Sequence, residues 1–305
     1  MKRPFIRSML AGIALASATA AAAAPAVAAP SEGKPPGHAV ARHEAATSTA
    51  EQRRIEAYWT PAKMDAAKPA EQYLAGKQKR GNGKGKGKKS AEAVQETPQP
   101  ELGKVFFTLG GTDYVCSGTA TTSGNSDVVT TAGHCLNEGP GGYATNFAFV
   151  PAYENGNRPY GTWTAGQLFT TTQWAGSGDF EYDAGFAVMN ENSSGASLTD
   201  VVGSYPIAFN LSRGLTYKSY GYPAASPYDG ELLWSCTGAA KDDPYGSTTQ
   251  GIPCSMTGGS SGGGWITGGQ LNSVNSYKYR TDSSTMYGPY FGSVIQSVYN
   301  AAAAA

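Results

Sequence analysis

The chain has 305 residues, of which 40% are hydrophobic and 40 are glycine, enough apolar material for one large core or two small ones. Its formal charge is zero, yet residues 1–100 hold 16 basic and 8 acidic residues, a net +8, whereas residues 101–305 hold 7 and 15, a net −8. This asymmetry excludes a uniform distribution of charge along the chain and indicates a basic amino-terminal region joined to an acidic domain.

The first 28 residues have the pattern of a secretory signal peptide. Basic residues within the first seven positions precede an Ala-rich apolar run, and Ala26-Val27-Ala28 supplies the small residues that a signal peptidase recognises. A transmembrane anchor needs about 20 strongly apolar residues, and this run is mostly Ala. We therefore predict that residues 1–28 are removed, that the protein is extracellular, and that no membrane attachment remains.

The region that follows is rich in Pro, Ala and charge, with modest helical periodicity from Ala46 to Tyr58, so little burial is expected there. Residues 77–89, KQKRGNGKGKGKK, contain no apolar side chain and are typical of a disordered, extended linker. A processing site or an electrostatic contact with the acidic domain are alternatives. Nucleic-acid binding is disfavoured because no aromatic residue is interleaved.

From residue 100 onward the sequence consists of short runs of Val, Thr, Tyr and Phe separated by Gly, Asn, Ser and Pro, which indicates antiparallel β structure. The predicted strands are Lys104 to Leu109, Asp113 to Thr121, Asp127 to Thr131, Asn146 to Pro151, Ala184 to Met189, Thr216 to Gly221, Glu231 to Cys236, Gly264 to Thr267 and Asn272 to Tyr277. A late helix is predicted from Tyr290 to about Ala302. The pattern favours an all-β barrel or sandwich in residues 100–305.

All four cysteines lie in the acidic domain, and an even number in an exported protein suggests disulfide bonds. Three pairings exist, and the spacing favours two local loops, Cys116 to Cys135 and Cys236 to Cys254. Closing each loop would stabilise the fold by about 3 kcal/mol. A zinc site is the alternative, disfavoured because no Cys-x-x-Cys motif is present.

A histidine follows a predicted strand in the sequence Thr131-Ala132-Gly133-His134-Cys135. The other two histidines lie in the amino-terminal region that we expect to be removed, so His134 is the sole imidazole of the acidic domain. An imidazole is the usual general base near neutral pH. A purely structural role is the alternative.

A serine surrounded by glycines occurs in Gly259-Ser260-Ser261-Gly262-Gly263. Glycine permits the tight turn and close substrate approach that a nucleophile requires, and it frees backbone N–H groups to stabilise an oxyanion. A flexible Gly/Ser loop would look similar. The motif persuades only in combination with His134.

The order of residues along the chain narrows the class of hydrolase. The α/β-hydrolase order requires a histidine after the serine, and none follows Ser261. The subtilisin order would need Asp113 or Asp127 and an α/β pattern, which is absent. For the remaining order, His, Asp, Ser, the best acid is Asp183, at the head of the apolar run Ala184 to Met189. Asp179 is the second choice, and for both a solvated loop carboxylate is the alternative.

These three motifs, in this order, resemble the trypsin/chymotrypsin family of serine peptidases over about Gly103 to Ala301. The resemblance implies a double six-stranded antiparallel β-barrel, with the triad in the cleft between the barrels, and a carboxy-terminal helix. It implies a bridge between Cys116 and Cys135, and an oxyanion hole formed by the N–H groups of Gly259 and Ser261. It also makes residues 29–99 a poorly structured propeptide, removed after export.

Departures from the family pattern bear on specificity and activation. Ser260 replaces the aspartate that pairs with a new amino terminus, and Ser255 replaces the aspartate of trypsin-like specificity. The compact layout resembles the glutamyl-endopeptidase branch, whose members have a second histidine near Asn275 and a threonine near Met256. Since the acidic domain has no second histidine, we predict a small or apolar residue at the cleavage site, with Ser255, Met256, Asn275 and Ser276 as pocket contacts.

The sequence thus predicts a secreted serine endopeptidase whose partners are protein or peptide substrates and its own propeptide. Neither a metal nor an organic cofactor is indicated, because no carboxylate cluster has ion-loop spacing. Two alternatives remain: a secreted serine esterase, and an inactive binding or adhesive protein on a peptidase fold.

Overall fold

The computed structural model describes residues 40–74, 91–245 and 247–305. The predicted signal peptide and the basic linker both lie outside the described residues.

Before the linker, residues 40–74, hereafter segment 40–74, fold into short elements. They are β1 Val40–Glu44, α1 Thr49–Tyr58, α2 Pro61–Ala66, β2 Lys68–Pro69 and α3 Glu71–Leu74, and β3 Val94–Gln95 follows the linker. A capping box begins α1, since Ser48 and Glu51 satisfy each other's backbone N–H groups.

Segment 40–74 buries more than its composition indicated. Ile55 and Met64 are 3% exposed and Trp59 is 1% exposed, in a cluster that also contains Phe106 and Tyr153 of the acidic domain. Ile55 and Trp59 are four positions apart, so both face the same side as α1 ends. Composition understates this burial because the apolar surface that covers these side chains belongs to the domain.

The first half of the domain contains six strands and two short helices. They are β4 Leu102–Leu109, β5 Thr112–Thr121, β6 Val128–Thr131, β7 Thr145–Pro151, β8 Trp163–Thr171, α4 Thr172–Ser177, β9 Gly185–Met189 and α5 Leu198–Val202. The antiparallel pairings run β4-β5-β6-β9-β8-β7 and return to β4, which closes a six-stranded barrel around buried Val105, Phe149 and Leu168. Segment 40–74 extends this sheet, since β1 pairs with β8 and β2 with β5.

The second half contains eight strands and the terminal helix. They are β10 Thr216–Gly221, β11 Trp234–Ala239, β12 Lys241–Asp242, β13 Gln250–Pro253, β14 Gly264–Thr267, β15 Gln270–Val274, β16 Tyr277–Tyr279, β17 Asp282–Gly288 and α6 Ser293–Ala303. Within the described ranges these strands form two sheets, ordered β15-β14-β10-β11-β3 and β12-β13-β17-β16. Both sheets contribute to one core, which includes Tyr217, Ile252 and Trp265.

The architecture agrees with the predicted all-β fold with a carboxy-terminal helix. The helix α6 packs on β8 and β9 of the first barrel through Ile295 and Val298. Both predicted disulfide bonds are present, Cys116 to Cys135 and Cys236 to Cys254.

Among the described strands of the domain with four or more residues, the sequence analysis did not predict three: β8, β13 and β17. The first is interrupted by glycine, the second has four residues, and the third begins with the polar run Asp282 to Thr285. Each of these strands is identified only by its hydrogen bonds to a neighbouring strand in the fold. One predicted strand is also displaced, because residues 231–233 precede the observed start of β11.

The packing of Trp59 predicts a stability effect. Its ring lies 5.4 Å from that of Phe106, and its Nε1 donates to the Asn146 carbonyl at 2.6 Å. We expect Trp59→Ala to lower the free energy of unfolding of the full chain by about 3–5 kcal/mol, measured by chemical denaturation. The exposed Glu56→Gln on α1 is the control. A Trp59→Ala denaturation curve that overlays the wild-type curve would show that segment 40–74 does not pack as described.

Candidate active site

His134 lies on a 3-10 turn, Gly133–Cys135, directly after β6. The Cys116–Cys135 disulfide joins this turn to β5. The imidazole is fully buried, and its Nδ1 lies 2.7 Å from Asp183 Oδ2, while the backbone N–H of His134 donates to Asp183 Oδ1 at 2.8 Å. Asp183 therefore binds both the backbone and the ring of His134, which fixes the orientation of the ring.

Asp183 lies two residues before the start of β9 and has no exposed surface. Besides its two bonds to His134, its Oδ2 accepts a hydrogen bond from the Ser276 hydroxyl at 2.5 Å. Asp179, the alternative acid, instead caps the turn Phe180–Tyr182, where its Oδ1 accepts from the Glu181 N–H at 3.0 Å. Among the two candidate acids, Asp183 is the one in contact with the imidazole.

The glycines around Ser261 are required by close backbone approach. Gly259 has φ +96°, and a Cβ there would lie 2.8 Å from the Tyr222 carbonyl oxygen. The loop is pinned to the first barrel by Ser117 of β5: its N–H donates to the Ser261 carbonyl at 2.7 Å, and its hydroxyl to the Gly259 carbonyl at 2.9 Å. The position of Ser261 is thus set by both halves of the domain.

Ser276 links the predicted triad members. Its carbonyl oxygen lies 3.5 Å from Ser261 Oγ, while its hydroxyl binds Asp183. The buried His134 Nε2 has no hydrogen-bond partner within the part of the chain that the structure describes. The Ser261 hydroxyl donates instead to Glu71 Oε1 at 2.5 Å.

Two residues of segment 40–74 reach this site. Glu71 Oε2 accepts a hydrogen bond from the Gly259 N–H at 2.9 Å, and the Tyr73 hydroxyl donates to the His134 carbonyl oxygen. Sequence reasoning missed both. Neither residue lies in a recognisable motif, and only the fold brings them to Ser261, 190 positions from Glu71.

An aromatic cluster borders the site. It comprises the buried rings of Trp174, Phe180, Tyr277, Tyr279 and Tyr287, and the fully buried Leu74 packs among them. Asp243 anchors the cluster by accepting hydrogen bonds from the hydroxyls of Tyr277 and Tyr279, at 2.9 and 2.5 Å. Segment 40–74 thus contributes Leu74 to the aromatic cluster, and Tyr73 packs against it.

The four predicted pocket residues are engaged within the fold. Ser255 Oγ accepts from the Ala93 N–H at 2.8 Å, and Met256 is fully buried in the second core. The Asn275 amide donates to two backbone carbonyl oxygens, at 2.8 and 3.0 Å, and the Ser276 hydroxyl binds Asp183. Contact of these side chains with substrate stays a prediction.

A lysine near the same site was not singled out from the sequence. Lys278, two residues after Ser276, donates from Nζ to the carbonyl oxygens of Cys254 and Ser283, each at 2.7 Å. Burial lowers its pKa to about 8, opposed by the negative charges of Asp282 and Glu71. This cation therefore begins to lose its proton in mildly alkaline solution.

One group of metal-ligating residue types occurs at the site, Cys116, His134 and Cys135. The two cysteines are joined in a disulfide bond, so neither supplies the thiolate that zinc requires. This group therefore lacks the chemistry of a zinc site.

Opposing effects act on the His134 imidazole. Burial lowers its pKa, but the carboxylates of Asp183 and Glu71 act in the opposite direction, and the net result is a pKa above the usual value. Protonated His134 therefore contributes stability below its unfolded pKa of about 6.5. That contribution is lost as the pH rises through the higher folded value.

This balance predicts that Glu71→Gln lowers the pKa of His134, because one of the two stabilising anions is removed. NMR titration of the imidazole signals in the full chain measures the shift, and Glu56→Gln, on the exposed side of α1, serves as control. An unchanged or higher pKa in Glu71→Gln would contradict the described position of Glu71.

No helix in the described ranges has the length and apolar character needed to cross a membrane. No family model matches the chain. One curated relative, an "Extracellular metalloprotease" of Bacillus subtilis strain 168, is 26% identical over 178 residues. That match covers 58% of this chain and 45% of the relative, so the chain spans less than half the length of that relative.

Solved structures are more similar. The protease Anisep from Arthrobacter nicotinovorans is 62% identical, with a TM-score of 0.68 over 70% of this chain and 100% of that one. The thermostable serine protease AL20 from an extremophilic microorganism is 50% identical, with a TM-score of 0.66 over 68% and 98%. A Glu endopeptidase, 18% identical with a TM-score of 0.58 over 72% and 99%, shares the fold. The chain therefore belongs to the trypsin/chymotrypsin-like family and is a serine protease.

Proposed function

We propose that the chain is a secreted serine endopeptidase that uses Ser261, His134 and Asp183 as its catalytic triad. The observation that carries this proposal is the buried hydrogen bond of 2.7 Å between His134 Nδ1 and Asp183, with Ser276 connecting Asp183 to the Ser261 loop. An oriented imidazole beside a glycine-framed hydroxyl is the arrangement that nucleophilic acyl transfer requires.

In this mechanism Ser261 Oγ attacks the scissile carbonyl carbon while His134 Nε2 takes the hydroxyl proton. Asp183 holds the imidazole tautomer that leaves Nε2 unprotonated and stabilises the cation that forms. The N–H groups of Gly259 and Ser261 stabilise the oxyanion, at about 2.7–4 kcal/mol per donor in a well-studied case. His134 then protonates the leaving amine, and water hydrolyses the acyl-enzyme.

The maturation proposed here divides the chain in three. Residues 1–28 direct export, residues 29–99 are a propeptide, and residues 100–305 are the extracellular enzyme. The net charges of the two regions are opposite, which favours their association. The processed enzyme acts on protein or peptide substrates and stays free of the membrane.

For specificity we retain the expectation of a small or apolar residue at the cleavage site. The departures at Ser255 and Asn275 argue against trypsin-like and glutamyl specificity respectively. The alternatives are a serine esterase and a binding or adhesive protein with an inactive site. Assays of peptide and ester substrates side by side distinguish an esterase from an endopeptidase. The presence of all three triad residue types argues against an inactive site.

The nucleophile is tested by covalent labelling of the processed protein with a fluorophosphonate. Wild-type protein should label and hydrolyse peptides, whereas Ser261→Ala should lose the label and lower kcat by on the order of 10⁶. The neighbouring Ser260→Ala is the matched control, since its hydroxyl donates to the Thr257 carbonyl rather than into the site. Labelling that persists in Ser261→Ala would refute the proposed nucleophile.

A further inference from the structure

We propose that the short helix α3, Glu71–Leu74, hereafter the turn, is a built-in inhibitor whose Glu71 carboxylate is the anion in the oxyanion hole. We further propose that activation requires release of segment 40–74, so that cutting the linker alone leaves the enzyme inhibited. This inference rests on the proposed peptidase function and names how the site is regulated.

The Glu71 carboxylate spans the two groups that act on a substrate carbonyl. Oε1 accepts from Ser261 Oγ at 2.5 Å, and Oε2 accepts from the Gly259 N–H at 2.9 Å. An oxyanion hole binds negative oxygen more strongly than a neutral carbonyl. A carboxylate supplies that negative oxygen but resists nucleophilic attack, so Ser261 is occupied by a group that it does not cleave.

The same contact gives the hydroxyl of the nucleophile an acceptor other than the base. Since the Ser261 hydroxyl is directed to Glu71, the buried Nε2 of His134 lacks a partner in the described parts of the chain. Tyr73 adds a second restraint by donating to the His134 carbonyl oxygen. Proton transfer from Ser261 to His134 therefore awaits the departure of this turn.

Close packing fixes the turn in the site. A Cβ at Gly258 would lie 2.8 Å from Glu71 Oε2 and 3.0 Å from Pro69 Cβ, so the absence of a side chain at Gly258 makes room for the segment. Three positions after Glu71, Leu74 is fully buried in the aromatic cluster. The turn thus contacts the catalytic centre through Glu71 and the adjoining aromatic cluster through Leu74.

The anchors of the turn all precede the linker. The strand β1 pairs with β8 from Val40 opposite Thr171 to Glu44 opposite Gln167, and β2 pairs with β5. The side chains of Ile55, Trp59 and Met64 are buried against the domain. A cut within residues 77–89 breaks none of these contacts, so the cut segment remains bound as a non-covalent inhibitor.

The test replaces part of residues 77–89 in the full chain with the recognition sequence of a site-specific protease. After cutting, size-exclusion chromatography reports whether segment 40–74 stays with the domain, and peptide hydrolysis is compared with that of the naturally processed protein. We expect co-elution and activity at least about 10-fold below the processed protein. Glu71→Gln should raise the activity of the cut complex by about 10- to 100-fold, the value of a charged hydrogen bond.

Leu74→Asp, which places a charge in the aromatic cluster, should raise the activity of the cut complex in the same direction, and Glu56→Gln should not. A cut wild-type complex as active as the processed protein would overturn the inhibition while leaving the peptidase function intact. If no form hydrolyses peptides, the proposed function fails. In that case the His134 pKa of the Glu71→Gln full chain, measured by NMR titration, still tests the carboxylate contact: a lowered pKa supports the contact, and an unchanged pKa refutes it.

Discussion

The carboxylate of Asp183 is fully buried where the two halves of the domain meet. It accepts hydrogen bonds from the backbone and ring of His134, at 2.8 and 2.7 Å, and from Ser276 at 2.5 Å. A buried charge is costly unless its lone pairs are satisfied. Because the donors come from a turn of the first barrel and a loop of the second half, the two halves must be correctly placed together before this carboxylate is stable.

The site that would stabilise a catalytic oxyanion is the site that holds Glu71. The Gly259 N–H donates to a negative oxygen whether that oxygen belongs to a substrate or to Glu71 of segment 40–74. The features that favour catalysis therefore also favour inhibition by a carboxylate. Segment 40–74 pairs with the domain through β1 and β2 and buries Trp59 in it. These contacts keep the Glu71 carboxylate in the site.

How far the sequence predicts the structure depends on whether the signal is local. Five of the six strands of the first barrel, α6 and the two disulfide loops follow from the strand pattern, helical periodicity and cysteine spacing. The chain order and scarcity of histidine single out His134 and Asp183, and their hydrogen bond is what the proposed chemistry needs. The strand β8, the contact of Glu71 and the inward direction of Asn275 depend on partners far along the chain, which no local pattern encodes.

The central claim is that Asp183 orients His134 toward Ser261, and paired substitutions test it most directly. In the processed enzyme, Asp183→Asn should lower kcat by about 10⁴-fold, whereas Asp179→Asn, which alters only a turn cap, should change kcat by less than about tenfold. Steady-state hydrolysis of one peptide substrate by both variants measures this difference. A loss at Asp179 that equals or exceeds that at Asp183 would contradict the assignment.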